Sequence, residues 1–313
     1  MTKAIYQQLD HGIVCIDALY TEPGIACLYA LIHDGECAII ETGTNHSVPN
    51  IQASLAELGV RLEQIRYVIP THVHLDHAGG AGALMQLAPN AELLIHPRGA
   101  RHMIDPARLI ASSIQVYGEK AFYELYGDIV PIPEARVRIM EDGDSVTLGD
   151  RELRFTHLRG HADHHFCIFD TGSSGWFSGD MFGVSYKRQR FEAGAFVMPA
   201  TTPTQFDPHL YAESIDRLSA ASPQRMYLTH YGELPFATEQ ADLLKRQLVS
   251  YESLGSGRTI EPKDLEKKVL SVTEDALATL IEEDAVAEEA AKLAFDVALN
   301  AQGISWWAAK QAS

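Results

Sequence analysis

The segment Thr71-His72-Val73-His74-Leu75-Asp76-His77 gathers three imidazoles and a carboxylate within six positions. Imidazole nitrogen and carboxylate oxygen are the preferred ligands of several first-row metal ions. The chemistry on offer is metal binding and, through the metal, activation of water. His72 and His74 are two residues apart, so in an extended stretch they point to the same side. The chain then turns at Gly79-Gly80, which lets Asp76 and His77 reach a different point. One loop can thus serve two ions a few ångströms apart. Three further apolar runs close on His or Asp beside glycine. Gly160-His161-Ala162-Asp163-His164-His165 follows 152–158, Ser178-Gly179-Asp180 follows 175–177, and Thr229-His230-Tyr231-Gly232 follows 225–228.

The elements that must position these groups alternate. Strand patterns cover 12–19 and 25–41, the latter turning at Asp34-Gly35, followed by a helix at 48–58. A buried strand at 66–70 leads into the histidine loop, and a helix at 79–88 and a strand at 92–96 follow it. Residues 97–133 break the pattern with two or three short helices, an insertion suited to covering a site. Strands return at 136–140, 146–148, 152–158, 165–170 and 175–179, then a helix at 208–220 and a strand at 225–229. This order predicts a layered α/β fold. Ser253–Gly257 reads as flexible punctuation. Beyond it, 262–299 is helical in pattern, and Trp306 and Trp307 need a surface to dock on, either the main domain or a second copy in a homodimer.

The chain has 313 residues, 46% of them apolar, and a formal charge of −17. Such an acidic surface repels phosphate backbones and disfavours nucleic acid as a partner. No run approaches the roughly 18 apolar residues of a membrane helix. The N-terminal stretch lacks an apolar signal core, so a cytoplasmic protein is expected. Cys15, Cys27, Cys37 and Cys167 all sit in apolar runs without a CxxC pair and read as buried thiols.

The complete HxHxDH motif at His72, His74, Asp76 and His77, followed in order by His161, Asp180 and His230, resembles the metallo-β-lactamase-fold hydrolase superfamily. The resemblance spans about residues 12–235, and is nearest in form to glyoxalase II and the bacterial quinolone-signal response thioesterase. It implies an αββα sandwich of two mixed β-sheets flanked by helices, over residues 1–255, with 256–313 as a C-terminal helical extension. It also implies a dinuclear site in which His72, His74 and His161 hold one divalent ion. Asp76, His77 and His230 hold the other, and Asp180 bridges them. Zinc leads as the metal, with iron and manganese also suited to the ligands. No cysteine ligand appears, which argues against the secreted antibiotic-degrading branch that uses one. Glu41-Thr42-Gly43 stands where the family carries Asp-Thr-Gly, and a carboxylate there would orient the histidine loop.

The mechanism so implied is attack of a metal-bridging hydroxide on a small ester or thioester, with Asp76 as the catalytic residue that orients the nucleophile. His165, Arg98, Arg101, Tyr186 and Arg188 are candidates to face the small-molecule substrate. The alternatives are a phosphodiesterase acting on a small phosphoester, a metal-containing regulatory or binding protein, and redox chemistry at a single iron.

Overall fold

The computed structural model describes residues 4–201, 203–256 and 261–311. Strands β1 (Tyr6–Gln8), β2 (Ile13–Asp17), β3 (Cys27–His33), β4 (Glu36–Ile40), β5 (Ile65–Ile69), β6 (Glu92–Ile95) and β7 (Val137–Ile139) form one sheet in sequential order. Its first four strands are antiparallel and its last four, sharing β4, are parallel. The parallel steps are crossed by α1 (Val48–Glu57), then by α2 (Leu75–Ala78) and α3 (Ala81–Leu87), then by α4 (Pro97–Ile104), α5 (Ala107–Tyr117) and α6 (Glu119–Tyr126).

The second sheet takes β8 (Ser145–Leu148), β9 (Arg151–His157), β10 (Phe166–Asp170) and β11 (Gly175–Gly179). A short hairpin of β12 (Arg190–Phe191) and β13 (Gly194–Ala195) intervenes before β14 (Arg225–Leu228) and β15 (Gly232–Pro235) complete the sheet. Its order is β15-β14-β11-β10-β9-β8, with β11 and β14 parallel and the other pairs antiparallel. α7 (Pro208–Ala220) crosses from β11 to β14, capped where the Asp207 side chain accepts from the His209 and Leu210 amides. α8 (Thr238–Gly255), α9 (Pro262–Leu277), α10 (Glu283–Ala291) and α11 (Ala294–Gln311) close the chain.

Strand periodicity explains the layering. Ile13 and Cys15 of β2, with Ala38 and Ile40 of β4, join the core between the sheets, packing with Phe155, Phe166 and Phe177. The alternate residues Val14, Ile16, Cys37 and Ile39 join a second core against Ile51 and Leu55 of α1 and Leu84 of α3. Both faces of these strands are covered, so the runs are apolar throughout rather than alternating. The result is the expected αββα sandwich with C-terminal helices. Those helices are not a detached appendage: Val269, Leu277, Ile304 and Trp307 belong to the same core as the second sheet. Trp307 is buried against α8, its ring packed where Gly255 has no side chain, while Trp306 stays exposed. The expected break at Ser253–Gly257 falls on the end of α8 as far as Gly255, and Gly257 lies outside the described residues. All four cysteines are free and buried.

Candidate metal centre

Each group expected to bind metal sits at the end of a strand on one edge of the sandwich. The His72–His74 stretch leaves β5 extended, and Asp76 and His77 lie on the single turn of α2. Gly80 lets the chain after that turn press on the loop that follows β4, because a Cβ there would collide with the Thr42 and Thr44 carbonyls at 2.7 Å. Asp180 follows Gly179, whose φ of +51° and close approach to Thr71 and His165 leave no room for a side chain. His161 follows β9, and His230 follows β14.

Two groups of ligand atoms result. His72 Nε2, His74 Nδ1 and His161 Nε2 stand 2.7, 3.2 and 3.3 Å apart. Asp76 Oδ2 lies 3.6 Å from His77 Nε2 and 3.5 Å from His230 Nε2. Asp180 lies between them, with Oδ2 3.4 Å from His161 Nε2 and Oδ1 3.4 and 3.6 Å from His77 and His230. A tetrahedral zinc site with bonds of 2.0–2.1 Å has ligand–ligand edges of about 3.3 Å.

The surrounding hydrogen bonds fix which nitrogen faces inward. Thr71 Oγ1 donates to Glu41 Oε1, so it can only accept from His72 Nδ1, 3.0 Å away. His161 Nδ1 donates to the Ala200 carbonyl and His230 Nδ1 to the Ile25 carbonyl, both at 2.8 Å. His77 Nδ1 donates to Glu41 Oε1 at 3.0 Å. In the neutral rings every inward Nε2 therefore presents a lone pair. Lone pairs facing carboxylate oxygens need a cation between them. The buried His77 Nε2 and Asp180 Oδ1 have no hydrogen-bond partner, as a shared metal ligand position requires. The residues present fit a metal.

The electrostatics say the same. Burial and the neighbouring imidazoles push His72 and His74 well below the usual imidazole range, and burial lowers His161. These three are neutral and ready to coordinate. Burial also opposes protonation of His77 and His230, but Asp180 and Asp76 outweigh it, raising His77 strongly and His230 to about 9. Burial disfavours the charged forms of Asp76 and Asp180, yet His77 and His230 hold both carboxyls below their ordinary values. The second group thus draws positive charge, which a proton or a metal ion can supply.

Glu41 is the pivot of this shell. It is fully buried with φ at +63°, a left-handed conformation that a non-glycine residue rarely adopts. Its carboxylate accepts from the Thr71 amide and hydroxyl, His77 Nδ1 and Thr229 Oγ1. It therefore ties β5, α2 and the end of β14 together.

A cleft of about 360 Å³ opens from this edge. His74, Asp76, His161, Asp180 and His230 form its floor. Its walls come from Tyr20, from α5 and α6 of the insertion, and from Phe295 to Asn300 of α11. Sequence reasoning named Tyr186 for this wall, and Tyr186 lines it. Arg98, Arg101, Arg188 and His165 lie elsewhere. Arg98 pairs with Asp163 at 3.1 Å, and Arg101 is exposed on α4. Arg188 donates to the Lys292 carbonyl and covers the Tyr186 ring. His165 is buried behind His72, its ring stacked 4.9 Å from it. Sequence reasoning missed Tyr20, Tyr126, Asp296 and Leu299, which carry no motif.

An αββα sandwich whose strand ends gather His and Asp beside a cleft defines a metal-dependent hydrolase. The description of the Metallo-beta-lactamase superfamily matches residues 23–230, and the chain belongs to that superfamily. It is similar to the metallo-beta-lactamase fold-containing protein ST1585 of Sulfurisphaera tokodaii, with 25% identity over 67% of this chain and 74% of that one. The crystal structure of ST1585 superposes with a TM-score of 0.65 at 21% identity, over 95% of this chain and 99% of that one. The chain is 27% identical to human acyl-coenzyme A thioesterase MBLAC2 over 56% of its own length, and the match spans 65% of that protein. It is 25% identical to the hydroxyacylglutathione hydrolase of Aeromonas hydrophila, over 62% of this chain and 56% of that enzyme. Among the described residues no helix is long and apolar enough to cross a membrane.

Proposed function

We propose that the protein is a dinuclear hydrolase of small acyl esters or thioesters. In this reading His72, His74 and His161 hold one divalent ion, Asp76, His77 and His230 hold a second, and Asp180 bridges them. Zinc fits the mixed nitrogen and oxygen set best, with iron and manganese as the other candidates. Bound ions would supply a water acidic enough to act as nucleophile near neutral pH and a Lewis acid for the scissile carbonyl.

The chain's own groups do the rest. Asp76 is the catalytic residue, since its carboxylate lies on the cleft floor and can orient the attacking water and take up its proton. Glu41 positions His77 and the Thr71 backbone. The walls exclude water and hold the acyl portion.

The observation that carries this reading is the make-up of the cleft. Ligand atoms lie at its floor, Val116, Leu109, Phe295 and Leu299 line its walls, and no Lys or Arg is among its described lining residues. A phosphodiester would call for basic side chains in the walls beside the floor ions. The basic residues of the segment after Asp180 are engaged elsewhere: Lys187 donates to Gln7, Arg188 to the Lys292 carbonyl and Arg190 to the Tyr231 carbonyl. The likeness to an acyl-coenzyme A thioesterase and a hydroxyacylglutathione hydrolase supports the same choice. Metal-loaded protein should hydrolyse thioesters or esters and leave bis-p-nitrophenyl phosphate nearly untouched. The opposite preference would overturn the reading in favour of the phosphodiesterase.

A further inference from the structure

Apart from the metal ligands, one charged side chain lies among the described residues lining the cleft. It is Asp296, in the first turn of α11. Its Oδ1 accepts the Tyr186 hydroxyl at 3.0 Å. No Lys, Arg or His among the described residues comes within ion-pair distance of it. Its neighbour Asn300 has no spare donor to offer. Asn300 Oδ1 accepts the Thr201 amide, and its Nδ2 donates to the Pro199 carbonyl and the Tyr251 hydroxyl. Burial raises the Asp296 carboxyl, against the Tyr186 hydrogen bond and the fields of His230 and Arg188, whose guanidinium covers the Tyr186 ring.

A carboxylate set in an apolar wall with no counter-ion in direct contact is costly, and the more distant charges of Arg188 and His230 relieve only part of that cost. Here the fold supplies a hydroxyl and leaves the side facing the cleft for a ligand. The floor carboxylates do not compete for the same cation, because Asp76 and Asp180 already face His77 and His230. We propose that Asp296, held by Tyr186, is a specificity-determining residue that selects acyl substrates carrying a cationic amine on the acyl chain. This rests on the acyl-hydrolase reading above and narrows its substrate class. An acyl chain ending in a carboxylate is repelled at the same point.

The test uses full-length, metal-loaded protein and three thioesters of N-acetylcysteamine: ω-aminohexanoyl, its methyl isostere heptanoyl, and pimeloyl. The expected order of kcat/KM is amine, then methyl, then carboxylate, with about tenfold or more between the extremes. In Asp296→Asn the amine-to-methyl ratio should fall by about fivefold or more. A ratio taken within one preparation does not depend on how much of the variant is folded. A flat order in the wild type, or an unchanged ratio in the variant, would overturn the proposal. Failure to cleave any of the three would instead overturn the acyl-hydrolase reading. Asp296 is then judged by thermal shift of the metal-loaded protein with hexylamine against hexanol. A shift specific to hexylamine and lost in Asp296→Asn supports the cation site, and equal shifts overturn it.

Discussion

The floor and the walls of the cleft are built in different ways. The floor comes from strand ends of the two sheets, where main-chain geometry fixes each ligand and a buried carboxylate fixes the rings. The walls come from helices laid over that edge, with Val116, Tyr117 and Phe295 still largely open to solvent. The floor is polar and over-determined by hydrogen bonds; the walls are largely apolar. On the proposed reading, chemistry belongs to the sandwich, and choice of substrate belongs to the insertion and the C-terminal helices.

Substitutions should separate the two. The largest effect is expected from Asp180→Asn, which removes the charge and replaces one of the two oxygens that face the two ligand groups with an amide nitrogen. Activity should fall by about a thousandfold or more and metal content should drop, while circular dichroism stays native. Retention of wild-type metal content would remove its bridging role. Glu41→Gln keeps the size of the side chain but loses the charge that holds His77 and Thr71. Metal affinity should fall by about 10–100-fold, with Glu41→Asp less affected, as competition with a chelator would read. Equal affinities in all three proteins would show that the carboxylate does not position the ligands.

A wall substitution should behave otherwise. Leu299→Ala enlarges the acyl portion of the cleft, so KM for a short acyl thioester should rise by about five- to tenfold with metal content unchanged. A loss of metal instead would mean that the wall supports the floor.

The smallest effect concerns pH. Burial, chiefly, keeps His96 neutral with a pKa of about 4 and His164 with a pKa of about 3. In the unfolded chain these groups titrate at the ordinary imidazole value near 6.5. Between those values the unfolded state binds more protons, so stability falls as pH falls below about 6.5 until the folded pKa values are reached. Metal-free protein should melt at a lower temperature at about pH 5 than at about pH 7, and His164→Asn should reduce the difference. A melting temperature that rises on acidification would contradict the sign.

The same division decides what the sequence discloses. The candidate ligands are legible because four fall within six positions and the others each end an apolar run beside glycine. The sandwich is legible because its central strands, such as β2 and β4, are apolar on both faces. α7 is legible over its full length, 208–220. α8 and the strands β1 and β15 pass unread, since short edge strands and a mixed-polarity helix give weak patterns. The walls are silent for a different reason. Tyr20, Val116 and Asp296 come from distant segments, and each is an ordinary residue on a helix or loop until the fold brings them together. Arg98, Arg101 and Arg188 mislead for the converse reason, since a positive charge in an acidic chain says nothing about where its side chain turns. Glu41 lies between these cases: its place beside Thr42-Gly43 is legible, but its four hydrogen bonds and left-handed backbone are not.

The central claim is that the strand-end ligands hold a pair of ions, and elemental analysis of the purified full-length protein tests it most directly. The account predicts about two equivalents of divalent metal per chain, falling together in Asp180→Asn. One equivalent of iron accompanied by oxygen consumption, or no metal taken up when it is offered, would contradict it.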